Sequence, residues 1–155
     1  MSAAPFDVSV IKARLLAQVS TLRTVGLSGD FAAVRSLADF PAPCAYVVLA
    51  SERGIVKPTG HAPRGQQIKV RQVALVTFGV VLAVRNYREQ RGEQLVDELA
   101  TMLGATREAL IGFVPDLDGA RPCEFVAGDI QDYDASTALW VDVYQTQHSI
   151  GNQPG

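Results

Sequence analysis

The stretch IKVRQVALVTFGVVLAVR, residues 68–85, decides the fold. Val, Ile, Thr and Phe dominate it and no helical period runs through it, so it reads as one long strand or as two strands joined by a bend. At about 3.3 Å per residue the stretch would run roughly 59 Å, while a compact domain of this size has a radius of gyration near ~15 Å. It must bend, with Gly79 as the natural place, or carry its first half out as an arm. Its even positions Val70, Ala74, Val76, Phe78, Val80, Leu82 and Val84 are almost wholly apolar. The odd positions Val73, Leu75, Thr77, Gly79, Val81 and Ala83 are nearly as apolar. Side chains alternate between the faces of a strand, so both faces need cover.

The closing stretch repeats the problem, with Leu139, Val141 and Val143 on one face and Trp140, Asp142 and Tyr144 on the other. Three helices of the size available here cover one face comfortably. The second face is then met by a partner, or by a sheet that curls or a loop that folds across it, association being the favoured expectation.

Those helices are read from apolar spacing. Val8, Ile11, Leu15, Val19 and Leu22 recur at three or four residues and predict an amphipathic helix from Asp7 to about Thr21. Gly26 and Gly29 break the pattern, and Asp30 is placed to cap a short second helix carrying Phe31, Val34 and Leu37, which Pro41 and Pro43 end. From Glu93, Leu95, Leu99, Met102, Leu103 and Leu110 predict a long third helix, with a break expected near Gly104 and a stop at Gly112 and Pro115. Cys44–Ala50 reads as a buried strand, and Cys123–Ile130 with Ala138–His148 as a hairpin parted by the acidic segment 131–136. The expected fold class is α+β: an antiparallel or mixed sheet of about four strands, helices packed on one face, and a possible projecting β arm. One domain spans residues 1–155, with its core over 7–148, a mobile loop at 53–67 rich in Gly and Pro, and a frayed tail at 149–155.

Composition narrows the function. The chain is 48% hydrophobic and 19% charged with a formal net charge of −2, so it has material for a core, and it carries no run of Lys and Arg to attract nucleic acid. Its longest apolar run, Val73–Val84, is short of the roughly 20 residues that cross a bilayer. No charged-then-apolar leader opens it, which points to a cytoplasmic protein. Cys44 and Cys123 are isolated and read as buried thiols, with a disulfide or metal as the lesser alternative. His61 and His148 have no evident partner, and no nucleotide loop or nucleophile elbow occurs. Asp129, Asp132 and Asp134 resemble part of a calcium loop but lack its Gly and terminal Glu, and read better as a solvated acidic turn. No catalytic, cofactor or metal residue is nominated.

The order of elements, taken with VIKARLLAQV, TVGLSGDFAAV, PAPCAYVVLASERG, QVALVTFGVVLAVRNY, ALIGFVPD and ALWVDVYQTQHSI, resembles the tail terminator proteins of long-tailed bacteriophages and prophages over roughly residues 7–150. The resemblance implies a small α+β subunit of a ring, typically a hexamer. That ring sits on the head-proximal end of the tail tube, stops its polymerisation and offers a surface for head joining. It implies no enzyme activity and no cofactor. Its expected partners are further copies of itself, the tail tube protein and a head–tail connector protein; it is expected in the host cytoplasm during assembly and then in the virion tail. An exposed second sheet face and an over-long strand fit a ring subunit.

The family pattern carries no invariant side chain to transfer, so contact residues are chosen by charge and position. Arg53, Lys57, Arg64 and Arg71 lie on the loop and strand entrance, and Arg85, Tyr87 and Arg88 follow the strand. They are set against the plainer reading of a solvated basic loop. The competing functions are a head-completion, neck or other ring-forming tail protein and, in another class, a small-ligand binding module or an enzyme with a site built from distant residues.

Overall fold

The computed structural model describes residues 2–57, 60–85 and 92–153, the last segment by its backbone alone up to residue 96. Helix α1 (Ser9–Gln18) is followed by strand β1 (Thr24–Leu27), the short helix α2 (Ser28–Ala32) and a single 3₁₀ turn (Leu37–Asp39). Strands β2 (Cys44–Gly54) and β3 (Arg71–Arg85), the long helix α3 (Gly92–Leu110), and strands β4 (Glu124–Tyr133) and β5 (Thr137–Gly151) complete the chain. The sheet runs β1-β2-β3-β5-β4 with β1 parallel to β2 and every other pair antiparallel. The fold is thus α+β on a mixed sheet, with five strands where four were expected.

The extra strand, β1, lies where Gly26 and Gly29 suggested only a break. Its Val25 is buried opposite Ala45, and the pairing with β2 supplies an order that four residues lack by themselves. Helix α2 begins two residues ahead of the expected cap, and Asp30 acts from inside its first turn by accepting the Leu27 N–H at Oδ2, 2.9 Å away. Helix α3 continues through Gly104 without a break and ends at Leu110, with the turn after it made at Gly112, whose φ of 83° is open to glycine and costly for other residues.

β3 resolves the length problem by being paired almost throughout. β5 accompanies it from Arg71 to Arg85 and β2 from Ala74 to Ala83, so there is no unpaired arm. A bulge between Leu49 and Ser51 takes up the mismatch on the β2 side. Ser149–Gly151, expected to fray, belong to β5, and beyond them the Asn152 side chain accepts the Val70 N–H and donates to the Ile68 carbonyl.

Two cores flank the sheet. Even-numbered Val76 to Val84 meet Ile11 and Leu15 of α1, Val19 just past its end, and Met102, Leu103 and Leu110 of α3. On the opposite face Val81 and Ala83 join Cys44, Tyr46 and Leu139 beneath Phe40, Phe31 and Leu37. Phe31, Phe40 and Tyr46 form an aromatic triangle with ring centroids 5.6–6.1 Å apart. The two long helices therefore cover one face, as expected, and the α2 segment folds over one end of the other. Around Val48, Val73, Leu75, Val141 and Val143 the second face is only partly covered.

Candidate assembly surfaces

The sheet register decides which of the nominated cations come together. β2 and β3 are partners up to Gly54 opposite Ala74, and the Ile55 N–H continues the ladder by donating to the Val73 carbonyl at 2.8 Å. Arg53, Lys57 and Arg71 are thereby held at one end of the sheet, with Arg64 on the loop that joins the strands. All four are exposed. Ile55 and Val56 lie among them, Val56 with 88% of its surface open, beside a cavity of about 330 Å³ whose walls include Val70 and Gln72. Arg71 also reaches Asp118 and the Ser149 hydroxyl, both at 3.3 Å. That ion pair is more than half exposed on both sides and adds little stability.

Arg85 stands at the far end of the same strand. Its guanidinium donates to Thr137 Oγ1 at 3.1 Å and to the carbonyls of Leu37 and Ala38 at 2.9 and 3.1 Å, tying the 3₁₀ turn to the sheet. Fourteen steps of strand, ~46 Å, separate it from Arg71. Tyr87 and Arg88 lie outside the described residues.

Spacing gave no hint of a second open surface along β4. Nearly all of that edge strand is exposed, including Phe125, Val126, Ile130 and Tyr133, the last at 70%. Glu124, Asp129 and Asp132 alternate with them. Asp134 turns back to accept the N–H groups of Ser136 and Thr137, each at 2.8 Å, and these bonds hold its carboxyl below the usual range. The alternation of Phe125 to Ile130 reads as a core strand in sequence.

The polar groups buried inside are committed to one another. Asp142, 2% exposed, accepts from Arg107 Nε and Nη2 at 2.7 and 2.8 Å and from Trp140 Nε1 at 2.7 Å. His148, for which the sequence offered no partner, has Nε2 2.9 Å from Glu52 Oε1, across three strands and 96 residues of chain. His61 is exposed in the loop. Both cysteines are free and buried, and burial raises both thiols, Cys123 to about 11, away from the thiolate that nucleophilic or metal chemistry requires. Among the described residues no group of three or more His, Cys, Asp or Glu side chains is placed to hold a metal, and no helix is long and apolar enough to cross a membrane.

The model of a family described as phage tail terminator protein matches residues 1–154. Among solved structures, a chain of the virion of a native gene transfer agent particle is similar at 14% identity, with 92% of this chain and 98% of that chain covered and a TM-score of 0.45. No curated protein matches.

Proposed function

Because this chain belongs to the phage tail terminator family, we propose that it is the subunit of a ring, a hexamer, that caps the head-proximal end of the tail tube. There it halts polymerisation of the tube protein and presents the surface to which a head–tail connector protein joins. The observation that carries this reading is the family match over residues 1–154. The exposed apolar residues at the β2–β3 end and along β4 support it, because surface of that kind calls for a protein partner. The role is structural and needs no catalytic group, cofactor or nucleic-acid sequence recognition. Assembly takes place in the bacterial cytoplasm and the ring stays in the virion tail.

The test is polymerisation of the cognate tail tube protein with and without this chain, followed by electron microscopy. Tubes that stop lengthening and carry added density at one end are the expected result. Unchanged growth with no protein bound to either end would overturn the reading.

A further inference from the structure

Two segments of the chain have opposite and unmixed charge. From Arg53 to Arg71 the ionised side chains are Arg53, Lys57, Arg64, Lys69 and Arg71, with no Asp or Glu. From Glu124 to Asp134 they are Glu124, Asp129, Asp132 and Asp134, with no Lys or Arg. All of these are exposed, in a molecule whose net charge is only −2. Ile55 and Val56 lie exposed within the first set. In the second, Glu124, Asp129 and Asp132 stand opposite Gln145, Val141 and Leu139 and so border the partly covered Val141 and Val143 on the open sheet face, while Ile130 and Tyr133, opposite Trp140 and Ala138, lie on the other. An apolar centre with a charged margin is the anatomy of a protein interface.

We propose that the basic β2–β3 end of one copy docks on the acidic outer surface of β4 of the next. This inference rests on the ring reading above and names the two surfaces that would propagate it. The occupant of each is a second copy because the charges are complementary within one sequence and the geometry keeps them apart within one molecule. The basic end sits where Gly54 meets Ala74, whereas β4 lies beyond β3 and β5 and runs away from that end, from Glu124 at the level of Thr77 through Asp129 at Val81 and Asp132 at Ala83 to Tyr133 at Val84. Asp129 and Asp132 are thus seven and nine steps along the sheet from the level of Ala74, ~23 and ~30 Å, with Glu124 nearer at three steps, ~10 Å, and two strands across. Contact between two different patches is heterologous, and such contacts close into rings when the rotation allows.

The surface of β4 favours side-chain docking over addition of a strand. Irregularities between Phe125 and Ala127 and between Ile130 and Asp132 interrupt its ladder, and Asp129 and Asp132 stand along it. Bulges and charges of this kind discourage edge-to-edge pairing, while leaving the carboxylates available to Arg and Lys.

Full-length chains, half of them isotopically labelled, should be mixed at low salt and treated with a zero-length carbodiimide crosslinker, both free and bound to tail tubes. The expected labelled-to-unlabelled links join Lys57 or Lys69 to Glu124, Asp129 or Asp132. Replacing Asp129→Lys and Asp132→Lys together should weaken self-association by roughly tenfold or more through like-charge repulsion. Adding Lys57→Glu and Lys69→Glu should restore it. These residues are exposed, and folding of each variant is checked by circular dichroism. Capping of tubes with links that bypass β4, or with self-association indifferent to the reversals, would overturn the contact and leave the ring reading standing. Neither capping nor intermolecular links would overturn both.

Discussion

Arg107 of α3 and Asp142 of β5 meet through two short hydrogen bonds, Nε to Oδ2 at 2.7 Å and Nη2 to Oδ1 at 2.8 Å. The guanidinium also lies over the Phe125 ring, 4.5 Å from its centroid, so one side chain connects the long helix to both strands of the last hairpin. A fully buried carboxylate is tolerable only while this partner is present. Arg107→Ala is therefore expected to lower unfolding stability by about 3–5 kcal/mol. Arg107→Leu combined with Asp142→Leu should cost less than the two single changes summed. Urea denaturation of the three variants measures the coupling.

Glu52 and His148 hold the N-terminal segment. The same carboxylate oxygen accepts the Phe6 N–H, and the Phe6 ring meets the imidazole edge-on at 5.5 Å. Glu52→Ala leaves both groups without their acceptor and is expected to cost about 1–3 kcal/mol. Amide exchange at Phe6 should accelerate while exchange in α3 stays slow; protection at Phe6 equal to that of the unaltered chain would refute this.

Gly128 leaves room for that buried carboxylate. A Cβ there would stand 2.6 Å from Asp142 Oδ1 and 2.9 Å from the Trp140 ring. Gly128→Ala should destabilise by about 1–3 kcal/mol, the usual effect of overfilling a packed site, and should change Trp140 fluorescence. Gly104→Ala, which meets nothing within 4 Å on the exposed side of α3, should stabilise slightly.

The thiols give a pH dependence. Burial raises Cys123 from its ordinary value of 9.0 to about 11, so the folded state keeps its proton where the unfolded state has lost it. The contribution of this group to stability is full below pH 9.0 and declines as pH rises towards about 11. Thermal melts at pH 8, 9 and 10 should show the decline. Iodoacetamide at pH 8 should leave both cysteines unmodified until denaturant is added, as read by mass spectrometry.

The parts of this fold legible in the sequence are those whose signal is local. α1, β2, β3, α3 and the β4–β5 hairpin follow from periodicity, whereas the gathering of Arg53, Lys57 and Arg71 at one end of the sheet comes from the β2–β3 register and not from their spacing. β1 was not legible, because its four residues owe their conformation to β2, about twenty residues further on. The cover over Val81 and Ala83 was also hidden: Phe31 and Phe40 look like parts of a marginal helix until the chain folds back over Tyr46. The partnership of Glu52 with His148 exists only through the pairing of β2 with β3 and of β3 with β5. Asp142 did carry a sign, a carboxylate in line with Trp140 and Tyr144 on a face that must be buried. Its cation, Arg107, sits on a helix that sequence spacing cannot orient.

The place of β5 between β3 and β4 governs how the chain is made. Without β5, β3 would have β2 on one side and nothing on the other, and β4 would have no neighbour in the sheet. The last strand must enter between two elements already synthesised, and pairing of Arg71 with Gly151 closes the sheet only then. A nascent chain stalled before Thr137 would expose the bare margin of an almost wholly apolar strand, a ready template for aggregation. Insertion of β5 is thus the step that converts an open half-sheet into a closed one.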